Sequence, residues 1–335
     1  MPGRLTCTLL VALAACSSPA HEPSRPREPT RSARTDEPAR TARADEPAHA
    51  ARERVAPLPP AELPAPPRLV AIGDVHGDVD ALRDALRLGG AIDAADHWSG
   101  GALWVVQVGD LLDRGGEEDD ILALLDRLDD EAEAAGGRLI VLNGNHELMN
   151  AQGDFRYVTP EGASDFAAYA REASPEIRRE VPRPLRGRAA AFAPGGPFAR
   201  VFASHPTVIR IGDSVFVHGG LSPRDAARGL ARINEDVRAY LLAERPLDDA
   251  LSGSDSPMWH RGYALDTDAE TCAELARMLD SLHARRLVVG HTVQRSGITS
   301  ACDERVWRID VGLSDYYGGP TEVLAIEGER VSVLR

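Results

Sequence analysis

The sequence contains no lysine, and its aromatic residues are scarce. All 38 of its basic residues are arginine, which we interpret as a codon-usage bias without functional meaning. Phe, Trp and Tyr make up only 5% of the 335 residues, whereas hydrophobic residues make up 43%. A chain of this length holds one large domain or two small ones. Its core must therefore be built mostly from Ala, Leu and Val.

Positive charge is also in short supply. Residues 1–67 hold nine arginines and eight acidic residues, so the whole acidic excess behind the net charge of −14 lies in residues 68–335. Proteins that bind nucleic acids need a basic face that displaces counterions. The acidic body therefore argues against nucleic acid as a partner. It does not exclude a phosphate substrate, because bound divalent metals supply the dominant local positive charge in such sites.

The N-terminus lacks an apolar run long enough to cross a bilayer, since its apolar stretch covers only residues 5–15. Residues 1–16 therefore predict an export signal. The stretch ends in Leu13-Ala14-Ala15-Cys16, which resembles the lipobox of bacterial lipoproteins. This resemblance implies a lipid anchor on Cys16 and an exported cell-envelope protein, at the outer membrane and facing the periplasm or the cell surface. An ordinary cleaved signal peptide with an incidental cysteine is the alternative.

The rest of the chain divides by composition. Residues 17–67 are rich in Pro, Ala and Arg with almost nothing to bury, which predicts a disordered tether. Residues 68–335 form the predicted folded domain. Residues 150–206 interrupt its pattern with scattered Pro and Gly. They predict an insertion over the active-site edge, either a lid or specificity segment or ordinary surface packing.

Three polar motifs bounded by glycine each follow an apolar run directly. They read Gly73-Asp74-Val75-His76-Gly77, Gly109-Asp110-Leu111-Leu112-Asp113-Arg114-Gly115 and Gly144-Asn145-His146-Glu147. Each preceding run is short and rich in β-branched or large apolar residues, which predicts a buried strand. Ligands of open α/β sheets bind just beyond the carboxyl ends of the strands. The motifs therefore predict a metal site at one sheet edge.

Strand and helix patterns alternate through these motifs, which predicts a largely parallel sheet built from strand–helix–strand units. The second half of the chain is richer in strand patterns, with helices predicted near residues 228–242 and 269–283. Two β-sheets that face each other, with helices outside, are the predicted architecture.

The candidate metal ligands are carboxylates, imidazoles and one amide, each in a loop bounded by glycine after an apolar run. They are Asp74, His76, Asp110, Asn145, His218 and His291. A ligand set without cysteine suits Mn, Fe or Zn in a reactive site better than a structural zinc. Asp110 is the predicted bridge between two ions, which lie about 3.5–4 Å apart in hydrolytic two-metal centres.

The motif series continues with Val217-His218-Gly219-Gly220 and Gly290-His291-Thr292, and as a whole it resembles the calcineurin-like metallophosphoesterases. More narrowly, it is similar to the phosphoprotein phosphatase superfamily. Trp259-His260-Arg261 and Trp307-Arg308-Ile309-Asp310-Val311-Gly312 resemble the corresponding segments of Shewanella-like protein phosphatases. The resemblance implies an αββα sandwich of two mixed β-sheets flanked by helices.

The resemblance also implies how two divalent metal ions are held. Its pattern assigns the first ion to Asp74, His76 and Asp110. It assigns the second ion to Asp110, Asn145, His218 and His291. A hydroxide that bridges the two ions would attack phosphorus in line with the ester oxygen.

The leaving oxygen of such a reaction needs a proton, and His146 is the predicted acid. Asp113 would hold the His146 ring and raise its basicity. The alternative is an Asp–His pair that only braces two loops. Arg114 and Arg261 are predicted to clamp the phosphate oxygens, because a guanidinium matches them bidentately.

Two further residues are predicted on the substrate side. Asn145 contacts phosphate as well as metal in the implied pattern. Tyr316 aligns with a substrate-side tyrosine loop of eukaryotic relatives, although the residues around it depart from theirs. Cys272 and Cys302 are the two cysteines of the predicted exported domain, where disulfides can form. The sequence is compatible both with a disulfide between them and with two free thiols.

The leading functional hypothesis is a metal-dependent phosphomonoesterase that acts on phosphoproteins, at Ser/Thr or Tyr by resemblance. A phosphoesterase that splits dinucleoside polyphosphates or other nucleotides is one alternative. The other alternative is a non-catalytic binding module of the envelope. The Asp113-Arg114-Gly115 and Trp259-His260-Arg261 segments favour the first hypothesis.

Overall fold

The computed structural model describes residues 55–265 and 267–335. The predicted signal peptide, the lipidation site Cys16 and most of the predicted tether lie outside these residues. In the part of the chain that is described, no helix is both long and apolar enough to cross a membrane.

Two mixed β-sheets flanked by helices make up the domain, which confirms the predicted architecture. The strands are β1 (Glu62–Leu63), β2 (Leu69–Ile72), β3 (Trp104–Gln107), β4 (Arg138–Val141), β5 (Val208–Ile211), β6 (Ser214–Val217), β7 (Arg286–Val289), β8 (Thr299–Ala301), β9 (Val306–Arg308), β10 (Val323–Glu327) and β11 (Arg330–Leu334). One sheet has the strand order β1-β5-β6-β7-β9-β8, and the other has the order β11-β10-β2-β3-β4.

The helices surround these sheets and fill the connections. They are α1 (Val79–Leu88), α2 (Glu118–Ala134), α3 (Asn145–Ala151), α4 (Pro160–Asp165), α5 (Pro175–Glu180), α6 (Arg186–Phe192), α7 (Pro197–Phe202), α8 (Pro223–Arg228), α9 (Leu230–Leu241), α10 (Gly262–Leu265) and α11 (Ala269–Ser281). Short 3₁₀ helices cover Ala167–Glu172, Arg183–Leu185 and Asp249–Leu251.

Parallel pairing brings the motif loops to common edges. Strands β2, β3 and β4 pair in parallel and in register, and their carboxyl ends lead into the three motifs of the sequence. Strands β6 and β7 also pair in parallel, with Val217 opposite Val289. His218 and His291 therefore follow neighbouring strand ends. The apolar runs are buried, as expected for parallel strands covered on both faces.

The predicted insertion at residues 150–206 is mostly helical, from the end of α3 to α7. Three of its helices begin with Pro160, Pro175 or Pro197 at the first helical position. Proline is favoured there because the first helical N–H has no partner within the helix and the φ angle of proline is already helical. The same prolines interrupt the strand–helix pattern of the sequence, and in the structure they start short helices within the segment.

The helix predicted near residues 228–242 is confirmed as α9 (Leu230–Leu241), and Gly229, with a φ of 91°, separates it from α8. One predicted boundary needs correction. The predicted tether extends too far, since β1 pairs with β5 through Glu62 and Arg210. Nη1 of Arg238 also donates to the Ala56 carbonyl oxygen at 2.9 Å. Chain from residue 55 onward therefore belongs to the folded domain.

Cys272 and Cys302 form a disulfide, which decides between the two states that the sequence left open. Their Cα atoms are 5.2 Å apart. The bond links α11 to the turn between β8 and β9, across 30 residues of chain.

Candidate metal centre and active site

One carboxylate oxygen lies at the centre of the site. Oδ2 of Asp110 is 3.2 Å from Nε2 of His218, and 3.8 Å from Nε2 of both His76 and His146. The backbone N–H groups of Val75 and His76 donate to the Asp110 carbonyl at 3.0 Å, which ties the first two motif loops together. Asp110 is buried and has a φ of 57°, so its loop turns sharply at this residue.

The first motif supplies a carboxylate and an imidazole. Asp74 is buried, with Oδ2 3.9 Å from Nε2 of His76. His76 Nδ1 donates to the Leu112 carbonyl at 3.0 Å, which leaves the lone pair of Nε2 facing the carboxylates. The backbone N–H of His291 lies 3.1 Å from each oxygen of Asp74. Loops from the two sheets therefore meet at Asp74.

Asn145, His218 and His291 come together on the other side of Asp110. His218 Nε2 is 2.9 Å from Oδ1 of Asn145 and 3.2 Å from Nδ1 of His291. Its Nδ1 donates to the Val108 carbonyl at 2.9 Å, which orients the ring. Nε2 of His291 is buried and has no hydrogen-bond partner among the described residues. The six predicted ligands therefore converge on one place.

Two groups of side chains have the spacing of metal ligands in the described part of the chain. They are His76 with Asp110 and His146, and Asp110 with His218 and His291. Within each group the donor atoms lie within 4.8 Å of one another, and Asp110 belongs to both. The first group contains His146 where the sequence prediction has Asp74.

Buried acidic groups crowd this site. Burial, and then the neighbouring Asp310 carboxylate, raises the pKa of Asp74 well above its usual range. Burial also opposes the ionisation of Asp110, but His218 and His146 outweigh it and hold the pKa of Asp110 well below its usual range. For His218, Asp110 and Asp74 outweigh burial and raise the pKa to about 10. Oxygen and imidazole donors around crowded carboxylates fit divalent Mn, Fe or Zn.

His146 and Asp113 form a direct pair next to the ligands. Nδ1 of His146 donates to Oδ2 of Asp113 at 2.5 Å, and both residues are buried. The backbone N–H of His146, in the first turn of α3, donates to Oδ1 of Asp110 at 2.9 Å. The pair therefore directs the other ring nitrogen, Nε2, towards the central carboxylate.

Glu147 is a buried residue of the site to which the sequence analysis gave no role. Its carboxylate accepts from the backbone N–H groups of Asp110 at 2.9 Å, Leu111 at 2.9 Å and Gly144 at 2.8 Å. It therefore braces the second motif against the third. The sequence does contain a signal for this role. Glu147 is the third residue of α3, and a glutamate at that position commonly accepts a hydrogen bond from a backbone N–H at the start of the helix.

The predicted phosphate-binding arginines lie at the rim of the site. Arg114 contacts Nε2 of His76, and its guanidinium carbon is 5.0 Å from the ring centre of Tyr157 and 5.2 Å from that of Tyr317. Nη1 of Arg261 donates to the His291 carbonyl at 2.8 Å, so Arg261 lies beside the second group.

The predicted Tyr316 is 64% exposed, with its ring centre 5.9 Å from the Arg114 guanidinium carbon. The neighbouring Tyr317 lies deeper, with its ring 5.7 Å from that of His76. Tyr157, which lies in the insertion, faces His146 with ring centres 5.3 Å apart. Tyr317 and Tyr157 were missed because single tyrosines outside the motifs carry no spacing signal. We call Tyr157, Tyr316 and Tyr317 the tyrosine rim.

A family model described as calcineurin-like phosphoesterase matches residues 67–295, which include all six candidate ligands. Shewanella-like protein phosphatase 2 of Arabidopsis thaliana is 41% identical over 281 residues, which cover 74% of this chain and 72% of the relative. Shewanella-like protein phosphatase 1 of Plasmodium berghei is 30% identical, over 80% of this chain and 74% of the relative. The solved structure of a cold-active protein-tyrosine phosphatase of a psychrophilic Shewanella species has a TM-score of 0.69 at 28% identity, covering 83% of both chains.

Proposed function

The chain belongs to the calcineurin-like phosphoesterase family, and from that premise we propose that it is a dinuclear metal-dependent phosphatase of phosphoproteins. Family membership makes it a phosphoric monoester hydrolase that uses divalent metals. The number of ions, the residues that hold them and the substrate are the proposed parts. One observation carries the two-ion proposal, namely that Oδ2 of Asp110 lies within 3.8 Å of imidazole nitrogens on both sides.

The proposed ligands follow from that central position. Asp74, His76 and Asp110 would hold one ion. Asp110, Asn145, His218 and His291 would hold the other. When bound, such ions lower the pKa of coordinated water and neutralise charge on the phosphate.

The side chains around the ions would handle the leaving group and the phosphate. His146 would protonate the ester oxygen from Nε2 while Asp113 accepts from Nδ1, an arrangement supported by the 2.5 Å contact between them. Arg114 and Arg261 would bind the phosphate oxygens from the rim. Both arginines now contact other groups of the site, so substrate would have to displace part of those contacts.

The tyrosine rim supports phosphotyrosine as the preferred phosphorylated residue. Tyr157 and Tyr316 are exposed at the mouth of the site, and aromatic rings there can pack against the ring of phosphotyrosine. The Shewanella relative carries the name of a protein-tyrosine phosphatase, whereas the Arabidopsis relative is named only as a protein phosphatase.

The test is a parallel assay of the Mn²⁺-loaded protein on phosphotyrosine and phosphoserine peptides, p-nitrophenyl phosphate and a dinucleoside polyphosphate. We expect both peptides to be hydrolysed, with a higher kcat/KM for phosphotyrosine. Faster cleavage of the dinucleotide than of either peptide would contradict the proposed substrate. No hydrolysis of any compound after metal loading would contradict the proposed enzyme mechanism.

We also propose that the protein is an exported lipoprotein, held to a membrane through Cys16. The support is the Leu13-Ala14-Ala15-Cys16 segment after a short apolar stretch. Metabolic labelling with a fatty-acid analogue should mark the wild-type chain and not a Cys16→Ser variant. Equal labelling of the two, or a wild-type chain that fractionates without membranes, would contradict this proposal.

A further inference from the structure

Arg188 is an arginine of α6 whose side chain is 0% exposed. A buried guanidinium is strongly unfavourable unless its charge is balanced and its N–H groups are bonded. Nε donates to Oδ1 of Asn150 at 2.6 Å, and Nη1 donates to the Gly162 carbonyl at 3.0 Å and contacts Glu118. Nη2 donates to Oδ1 of Asp113 at 2.9 Å and to Glu118 at 3.1 Å. All three nitrogens are therefore engaged.

Packing holds the guanidinium in this position. The rings of Phe166 and Phe192 lie 5.3 Å and 5.1 Å from its central carbon. Gly187 precedes Arg188, and a Cβ atom there would collide with the Phe166 carbonyl oxygen. The glycine thus allows α6 to approach the Phe166 backbone closely. Gly187 and Arg188 therefore both face the interior of the domain.

The carboxylate of Asp113 connects Arg188 to the predicted acid. One oxygen of Asp113 accepts from Arg188, together with Nδ2 of Asn150 at 3.1 Å, and the other accepts from His146. The backbone N–H of Asp113 donates to Glu118 at 2.5 Å. Two buried carboxylates, Asp113 and Glu118, thus share one arginine. Without it, Asp113 would keep only His146 and Asn150 as side-chain partners.

We propose that Arg188 is a positioning residue for proton transfer: it anchors Asp113 so that Asp113 fixes the His146 ring with Nδ1–H bonded and Nε2–H aimed at the ester oxygen. This inference rests on the proposed function. As a hydroxide oxygen bonds to phosphorus and the ester P–O bond breaks, the electron pair of the broken bond stays on the ester oxygen, and that oxygen takes the proton from Nε2. His146 is left neutral with its Nδ1 proton still bonded to Asp113. The insertion, which contains Arg188, thus helps to orient the proposed acid through Asp113.

The competing explanation is that Arg188 only balances the charge of Glu118 in the core. Three variants separate the two roles. Arg188→Met removes the cation, and Glu118→Gln combined with Arg188→Met removes it together with one buried anion. The glutamine side chain introduced by Glu118→Gln keeps an oxygen that can accept from the Asp113 N–H. Arg186→Met is the matched control, because Arg186 lies on the same helix and donates to the backbone carbonyls of Val181 and Arg178.

The kinetic readout is dependence on the leaving group. An alkyl phosphate needs protonation of its leaving oxygen, whereas p-nitrophenolate leaves readily without it. We expect Arg188→Met to lose about 10²-fold in kcat on a phosphoserine peptide, the lower end of a general-acid contribution, and less than about tenfold on p-nitrophenyl phosphate. The charge-balanced double variant should keep this difference, and Arg186→Met should show none. Equal losses on both substrates, or a double variant with the wild-type ratio, would overturn the inference.

A spectroscopic readout needs no metal and no turnover. The proton on Nδ1 of His146 should give a low-field resonance in the ¹⁵N-histidine-labelled wild type and in Arg186→Met. This resonance should be absent from Arg188→Met and from the double variant. If Arg188→Met alone does not fold, the double variant provides the test. A resonance that persists in the folded double variant contradicts the inference. Absence of hydrolysis by the wild type would instead count against the proposed function and leave this resonance as the test of Arg188.

Discussion

Replacement of Asp110 by asparagine is the sharpest test of the two-ion site. Asn is nearly isosteric, and its Oδ1 can still accept from the His146 N–H, which Asp110 accepts at 2.9 Å. The change places an amide NH₂ where Oδ2 now lies 3.2 Å from His218 and 3.8 Å from His76. The fold should therefore persist while the proposed shared ligand of both ions is lost.

The magnitude follows from linkage between metal binding and unfolding. A ligand at 100 times its Kd stabilises the folded state by about 2.7 kcal/mol, which is about 5–10 °C in Tm for a domain of this size. Loss of an outer-shell partner weakens metal binding by up to about 100-fold, and loss of a bridging ligand should exceed that. At the same Mn²⁺ concentration, Mn²⁺ binding should then raise the free energy of unfolding of Asp110→Asn by no more than about 0.4 kcal/mol.

The assay is thermal unfolding with and without Mn²⁺, together with elemental analysis and turnover of p-nitrophenyl phosphate. Asp84→Asn, on the exposed side of α1, is the control and should respond to Mn²⁺ like the wild type. An Asp110→Asn protein that binds two ions, gains the wild-type Tm shift or turns over normally would refute the bridging assignment. A variant that fails to fold without metal would refute the claim that Asn preserves the loop contacts.

Three further predictions concern stability and substrate choice. Burial, and then the nearby Asp119 carboxylate, raises the pKa of Asp165 to about 7. The folded state therefore binds this proton more tightly than the unfolded state, and stability falls as pH rises from about 4 to about 7. Asp165→Asn should flatten Tm over that window, which an unchanged slope would contradict. Cys272→Ser removes the disulfide and should lower the free energy of unfolding by about 3–4 kcal/mol. A wild-type Tm that does not change when reductant is added would contradict a stabilising disulfide. Tyr157→Leu should raise KM for a phosphotyrosine peptide by up to about tenfold with phosphoserine unaffected; equal changes for both would contradict the tyrosine rim.

Local patterns were sufficient to predict the sheet and to name candidate ligands that lie together in the structure. A short apolar run followed by Gly and a polar residue predicts a strand and its carboxyl end, and parallel strands bring those ends to one edge. Asp74, Asp110 and Asn145 could therefore be placed together from three separate runs. The candidate ligands could be named from the sequence because each lies next to such a run.

The insertion could not be interpreted in the same way. Its helices are six or seven residues long, and three of the four begin at proline, so they show neither a sustained period nor an unambiguous start signal. The short strand β1 was missed for a similar reason, since it spans two residues and its pairing with β5 depends on chain far away in sequence.

The sequence alone determined which strands form, where their polar ends lie and which side chains are available to bind metal, because those properties depend on neighbouring residues. Only the tertiary structure decided that Tyr317 lies deeper than Tyr316 and that Arg188 donates to Asp113. Arg188 and Asp113 are 75 residues apart, and their contact depends on how the insertion packs. A buried ion pair over that distance leaves no periodic pattern in the chain, because its partners are chosen by folding and not by spacing.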